Sequence, residues 1–204
     1  MKHKSIFIGF IGFALVIAGI FFLSQITTTT KKVMISADYP RYNSLENLVD
    51  KADTIINGKV IGFTYSELNI TQENQSDDEY FNPGGEKDNS TIPYTVFTVE
   101  IEKTYKGNVR ENDTIQIKTL GGIVGNTEYV LESTEDTRLE EGKKYVLFLE
   151  TYDDSPASLL NPTQASYEYD ADDNSITNQQ GKQAAQNEIS FNMEDLDKII
   201  ISNE

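Results

Sequence analysis

The chain has 204 residues, with 33 acidic against 17 basic side chains, a net charge of −16, no cysteine, no tryptophan and a single histidine, His3. That length holds one ordinary domain plus a short appendage, and the acid excess argues against a nucleic-acid partner, because a phosphate backbone is held by Lys and Arg. The composition excludes disulfides, thiolate catalysis and Cys-based zinc sites, and a lone imidazole near the N-terminus leaves the rest of the chain no Ser-His-Asp triad and no His-based metal catalysis.

Residues 1–4 form a short basic tail carrying Lys2, His3 and Lys4, and residues 5–23 are predicted to be a transmembrane signal-anchor helix. The run Ile6–Leu23 has no charge and no strongly polar residue. At about 1.5 Å per residue it spans roughly 27 Å, close to the roughly 30 Å of a hydrocarbon core. The run is longer than the h-region of a cleaved signal, and Ser24-Gln25-Ile26 offers no site of the A-x-A kind, so the segment reads as uncleaved. The expected location is the cell membrane, single-pass, with the domain outside the cytoplasm; secretion after signal cleavage is the alternative. Residues 24–40 read as a polar spacer, and residues 41–204 as an acidic, β-rich extracytoplasmic domain.

Within the domain, Ser44 is a good N-cap for a helix over Ser44–Ala52, where Leu45, Leu48, Val49 and Ala52 recur at helical spacing. A strand follows at Thr54–Phe63, in which Gly58 and Gly62 suggest sharp coiling or a bulge. Ser66–Thr91 is polar and aperiodic, with Glu67, Glu73, Asp77, Asp78, Glu79, Glu86 and Asp88 against Lys87, and reads as a mobile surface loop. Further strands are expected at Tyr94–Lys103, Asp113–Leu120 (broken by Gly121-Gly122), Glu128–Glu132 and Lys144–Glu150, with a last hairpin from Ala165–Tyr169 and Ser175–Thr177. Phe97, Val99, Ile101, Ile115, Ile117, Val146 and Phe148 form the expected core. A closing helix over Met193–Ile201 is N-capped by Asn192, with Asp195 near its start. The fold class is therefore mainly β: a small OB-like barrel or sandwich with short flanking helices, plus the N-terminal transmembrane helix.

Few segments suggest chemistry. Gly121-Gly122-Ile123-Val124-Gly125 is glycine-rich but lacks the Lys-Ser/Thr ending and following helix of a phosphate loop. Asp170, Asp172 and Asn174 place oxygens at the first three odd positions of a calcium-loop pattern, but Ser175 and Gly181 stand where that loop needs Gly and a bidentate Glu. They remain weak candidates for a divalent cation. The 11 tyrosines are mostly ordinary strand residues, a minority of which could form a binding face. In the polar loop, Tyr80 and Phe81 are the candidate binding residues. No catalytic residue or cofactor motif is evident.

Three segments share an order: Ala52-Asp53-Thr-Ile-Ile-Asn-Gly58-Lys-Val60, then Tyr94 through Tyr105-Lys106-Gly107, then Glu141-Gly142-Lys-Lys-Tyr-Val-Leu-Phe-Leu149. This pattern resembles a family of uncharacterised anchored or secreted proteins of Gram-positive bacteria, and more distantly the netrin/TIMP-like OB barrel. The resemblance implies the fold alone. Metalloprotease inhibition in the netrin/TIMP-like group relies on an N-terminal cysteine that chelates zinc, and this chain has none. The expected function is a membrane-held, non-catalytic interaction module for a protein or envelope polymer. The alternatives are a weak divalent-cation binder and a carboxylate-dependent glycan hydrolase.

Overall fold

The computed structural model describes residues 30–70, 90–132, 138–170, 175–178 and 189–202. Among these residues nine strands follow in order: β1 (Lys31–Ile35), β2 (Thr54–Leu68), β3 (Ile92–Lys106), β4 (Thr114–Val124), β5 (Thr127–Leu131), β6 (Lys144–Glu150), β7 (Ala157–Leu159), β8 (Ser166–Asp170) and β9 (Ser175–Asn178). Helix α1 (Leu45–Lys51) precedes β2, and α2 (Met193–Ser202) follows β9. Mainly β is thus the class of the described chain, and Lys32–Glu204 is one compact unit. Among the described residues no helix is long and apolar enough to cross a membrane. The Ile6–Leu23 run lies outside them.

The pairings form a closed circuit. β2 runs antiparallel to β3 and to β6, β3 antiparallel to β4, and β6 antiparallel to β7. The circuit closes where β7 meets β4 in parallel, through Ile117↔Ala157 and Lys118↔Ser158. β5 and β1 extend the sheet beyond β4, and the β8–β9 hairpin extends it beyond β6. Closing so few strands demands strong coiling, and β2 supplies it with register shifts at Ile55/Ile56, Asn57/Gly58 and Val60/Gly62. The bulges expected at Gly58 and Gly62 are where the register slips.

The core fills the circuit. Phe97, Val99, Ile101, Ile117, Val146 and Phe148 are all buried as expected, while Ile115 is only partly buried near the start of β4. Leu45, Leu48 and Val49 of α1 and Met193 and Leu196 of α2 join the same cluster. Both helix caps form as read. Ser44 Oγ accepts from the Asn47 amide at 3.3 Å. Asn192 and Asp195 make a reciprocal capping box, with N–H···O distances of 2.9 and 3.2 Å.

Three expectations need correction. Ser66–Leu68 belongs to β2, not to the loop: it pairs with Tyr94, Pro93 and Ile92, because the alternation of β2 continues past Phe63 through polar residues on an open edge of the core. The expected spacer contains β1, whose Val33 and Ile35 are half-buried while Met34 faces out. Gly121-Gly122 does not break β4. The strand bends there and changes partner, from β3 up to Leu120 to β5 from Gly121 onward.

Two residues of the three-part pattern, Asp53 and Lys106, have structural roles near the start of β2. The Asp53 carboxylate accepts from the Thr151 amide at 2.8 Å, tying the start of β2 to the end of β6. The Lys106 ammonium donates to the Val49 carbonyl at 2.8 Å and to that of Asp50, capping the last turn of α1 with a cation, as the helix dipole favours.

Candidate functional site

The sequence-level candidates do not converge on a site. Asp170 is an exposed residue at the end of β8, paired in register with Ser175, while Asp172, Asn174, Tyr80 and Phe81 lie outside the described residues. Among the described residues no three His, Cys, Asp or Glu side chains gather closely enough to hold a metal ion.

The structure instead offers a cleft of about 220 Å³ at the far ends of β2, β3 and β4. Its aromatic lining is Tyr39, Phe63, Tyr65, Tyr94, Phe97 and Tyr129. Alternation and register assemble it. Phe63 of β2 lies opposite Phe97 of β3, which lies opposite Ile117 of β4, and Tyr65 lies opposite Thr95. Phe63 stacks edge-on to Tyr65, ring centroids 5.6 Å apart, and in a tilted arrangement on Phe97 at 5.9 Å. Phe97 is buried and forms the floor, but Phe63 and Tyr65 remain 44% and 41% exposed. Two adjacent aromatics left wet at the rim of a cavity leave apolar area that a ligand can cover.

The glycine pair shapes one wall. Gly121 and Gly122 have φ of 102° and 148°, values that disfavour any side chain. A Cβ at Gly122 would stand 2.9 Å from Tyr65 Cδ1 and 3.1 Å from the Tyr94 carbonyl oxygen. Its absence lets the Tyr65 ring lie against the backbone. The Thr95 hydroxyl donates to the Gly121 carbonyl at 3.0 Å, holding the bend.

The opposite wall is held by a polar knot. Asn161 Nδ2 donates to the Pro40 carbonyl at 2.8 Å, and its Oδ1 accepts from the Thr163 and Gln164 amides at 2.8 and 3.0 Å. The Gln164 amide group bonds both backbone polar groups of Tyr42, at 2.9 and 3.0 Å. These bonds pin residues 39–42 to the turn after β7, which brings Tyr39 to the cleft. Burial pushes the phenols of Tyr39 and Tyr94 above the ordinary tyrosine range, and their mutual proximity adds to the effect at Tyr39.

Among the described residues the charged side chains of the lining are two cations, Lys118 and Arg138. Lys118 is buried in β4, where its ammonium donates to Ser155 Oγ at 2.9 Å and to the Pro156 carbonyl, and sits 4.0 Å over the Tyr152 ring. Burial lowers its pKa, and the nearby Glu150 charge pulls the other way. Arg138 is about half exposed, with Nη2 3.1 Å from Glu128 Oε1.

Sequence reading missed this site for a specific reason. It ended β2 at Phe63, so the i, i+2 pair Phe63/Tyr65 never appeared as one face of one strand. That spacing was the available signal. No protein-family model matches the chain, and no curated protein is significantly similar to it.

Proposed function

We propose that the domain is a non-catalytic binding module, held at the outer face of a membrane by its N-terminal segment, and that the aromatic cleft is its ligand site. One observation carries the reading: Phe63 and Tyr65 stand exposed at the rim over the buried Phe97. The finer fold reading is an OB-like barrel, supported by the five-strand circuit with its single parallel contact. OB barrels bind ligands on one strand face, and this cleft opens on the β2–β3–β4 face. The acid excess turns that face away from nucleic acid and toward an uncharged or apolar-bodied ligand.

The test is saturable binding of a neutral bicyclic aromatic, naphthalene-2-carboxamide, followed by ligand-observed NMR. Phe63→Ser with Tyr65→Ser should abolish binding while shifting the melting temperature by no more than a few degrees, since both side chains are half exposed. Undiminished binding by the double variant, or failure of the native domain to bind either this amide or the carboxylate of the same ring system, would remove the cleft from consideration.

The membrane part rests on the uncharged Ile6–Leu23 run and has its own check. Full-length protein is expected to sediment with membranes. A chain lacking residues 1–29 should be soluble and folded. The cut belongs before β1, because removing residues 1–32 would delete the first two residues of that strand. Recovery of unprocessed full-length protein in the soluble fraction would defeat this placement.

A further inference from the structure

We infer that the cleft selects small aromatic or apolar carboxylates over their neutral isosteres, with Arg138 as the specificity-determining residue. The inference rests on the cleft being the ligand site and adds the ligand's chemistry.

Three observations support it. First, the charge at the cleft opposes that of the molecule. The chain carries 33 acids against 17 bases, yet the charged side chains lining the cleft are Lys118 and Arg138, with no carboxylate among the described lining residues. An anion approaching the general surface is repelled, and one entering the cleft meets the Lys118 and Arg138 charges, partly offset by Glu150 and Glu128, close to low-dielectric aromatic walls. Second, the two cations differ in availability. Lys118 is anchored by Ser155, Pro156 and Tyr152 and acts as background charge, partly offset by Glu150. Arg138 has one ion-pair partner among the described residues, Glu128, and engages it through Nη2. A guanidinium presents five donors in a planar fork, so a single contact leaves it able to take a ligand carboxylate as well. Third, the volume of about 220 Å³ falls below the roughly 300–1,000 Å³ of drug-sized pockets, which suits one or two rings with one acidic group.

The experiment compares naphthalene-2-carboxylate with naphthalene-2-carboxamide, which share shape and differ in charge, by calorimetry and ligand-observed NMR on the native chain. The carboxylate should bind about tenfold or more tightly, with the preference shrinking as salt rises. Arg138→Gln should bring the two affinities together by weakening the carboxylate alone. Glu128→Gln, which frees the guanidinium, should keep or enlarge the preference. Because Arg138 is about half exposed, its loss should leave the fold intact, and an unchanged melting temperature verifies that. Equal binding of both probes, or a preference that survives Arg138→Gln, overturns the inference while leaving the cleft as a site. Failure of both probes to bind overturns the cleft reading itself.

Discussion

Phe148→Asp is expected to abolish cooperative folding of the domain. Phe148 is fully buried in β6, the strand shared between the closed circuit and the β8–β9 hairpin. Its ring stands 5.9 Å from that of Tyr167 and 6.0 Å from that of Phe191, both edge-on, and those two rings are 4.7 Å apart. Its amide donates to the Ala165 carbonyl at 3.0 Å, and its carbonyl accepts from Leu160 at 3.2 Å, so the backbone has no freedom to swing the new side chain outward. Truncation to alanine would cost about 3–5 kcal/mol through lost contacts and the cavity left behind. A carboxylate adds the penalty of burying an unpaired charge, or of protonating it, which is several kcal/mol more. The total reaches the roughly 5–15 kcal/mol that holds a typical domain together. Urea titration followed by circular dichroism would read this as a chain without a folded baseline. A Phe148→Asp protein with a near-normal midpoint would mean that β6 is not central.

Phe148 also shows what the sequence makes legible. Its strand, Lys144–Glu150, reads as an unbroken apolar run, and only a strand covered on both faces tolerates that. Phe97, Val99 and Ile101 were equally readable from alternation, and both helix starts from their caps. The short pieces were not. β7 has three residues, too few to carry a period, and its meaning comes from meeting β4, some forty residues away in the chain. Without that contact the pairing circuit could not be read from the sequence. The site was less legible still. Alternation says which face a residue occupies, but not what covers that face. Alternation puts Lys118 on the face away from Ile117, yet it is buried, with its ammonium bonded to Ser155 and Pro156. It could not say that, among the described residues, Phe63 and Tyr65 stay largely exposed, which is what makes them candidates for binding.

Gly58→Ala and Gly62→Ala should differ sharply, although both glycines lie in β2 beside a register shift and neither has a positive φ. Their difference is space. A Cβ on Gly58 would sit 2.6 Å from Val99 Cγ1 and 2.8 Å from the Glu100 carbonyl oxygen, closer than real Cβ atoms stand to their neighbours. Val99 is fully buried and cannot retreat, and the Glu100 carbonyl belongs to the β2–β3 ladder. Relief therefore requires separating the two strands at the bulge that coils the circuit. Overpacking of this kind costs about 1–3 kcal/mol, and this site combines a side-chain and a backbone clash, so a loss of about 3 kcal/mol is expected. A Cβ on Gly62 would meet nothing within 4 Å. There alanine narrows the unfolded ensemble without strain in the folded one, and should be neutral or stabilising by about 0.4–1 kcal/mol. Denaturant midpoints at unchanged m-value would measure both. A separation of about 3–4 kcal/mol between the variants is the expected result. Equal effects would mean that β2 and β3 do not approach as closely at Gly58 as the circuit requires, and that its coiling arises elsewhere.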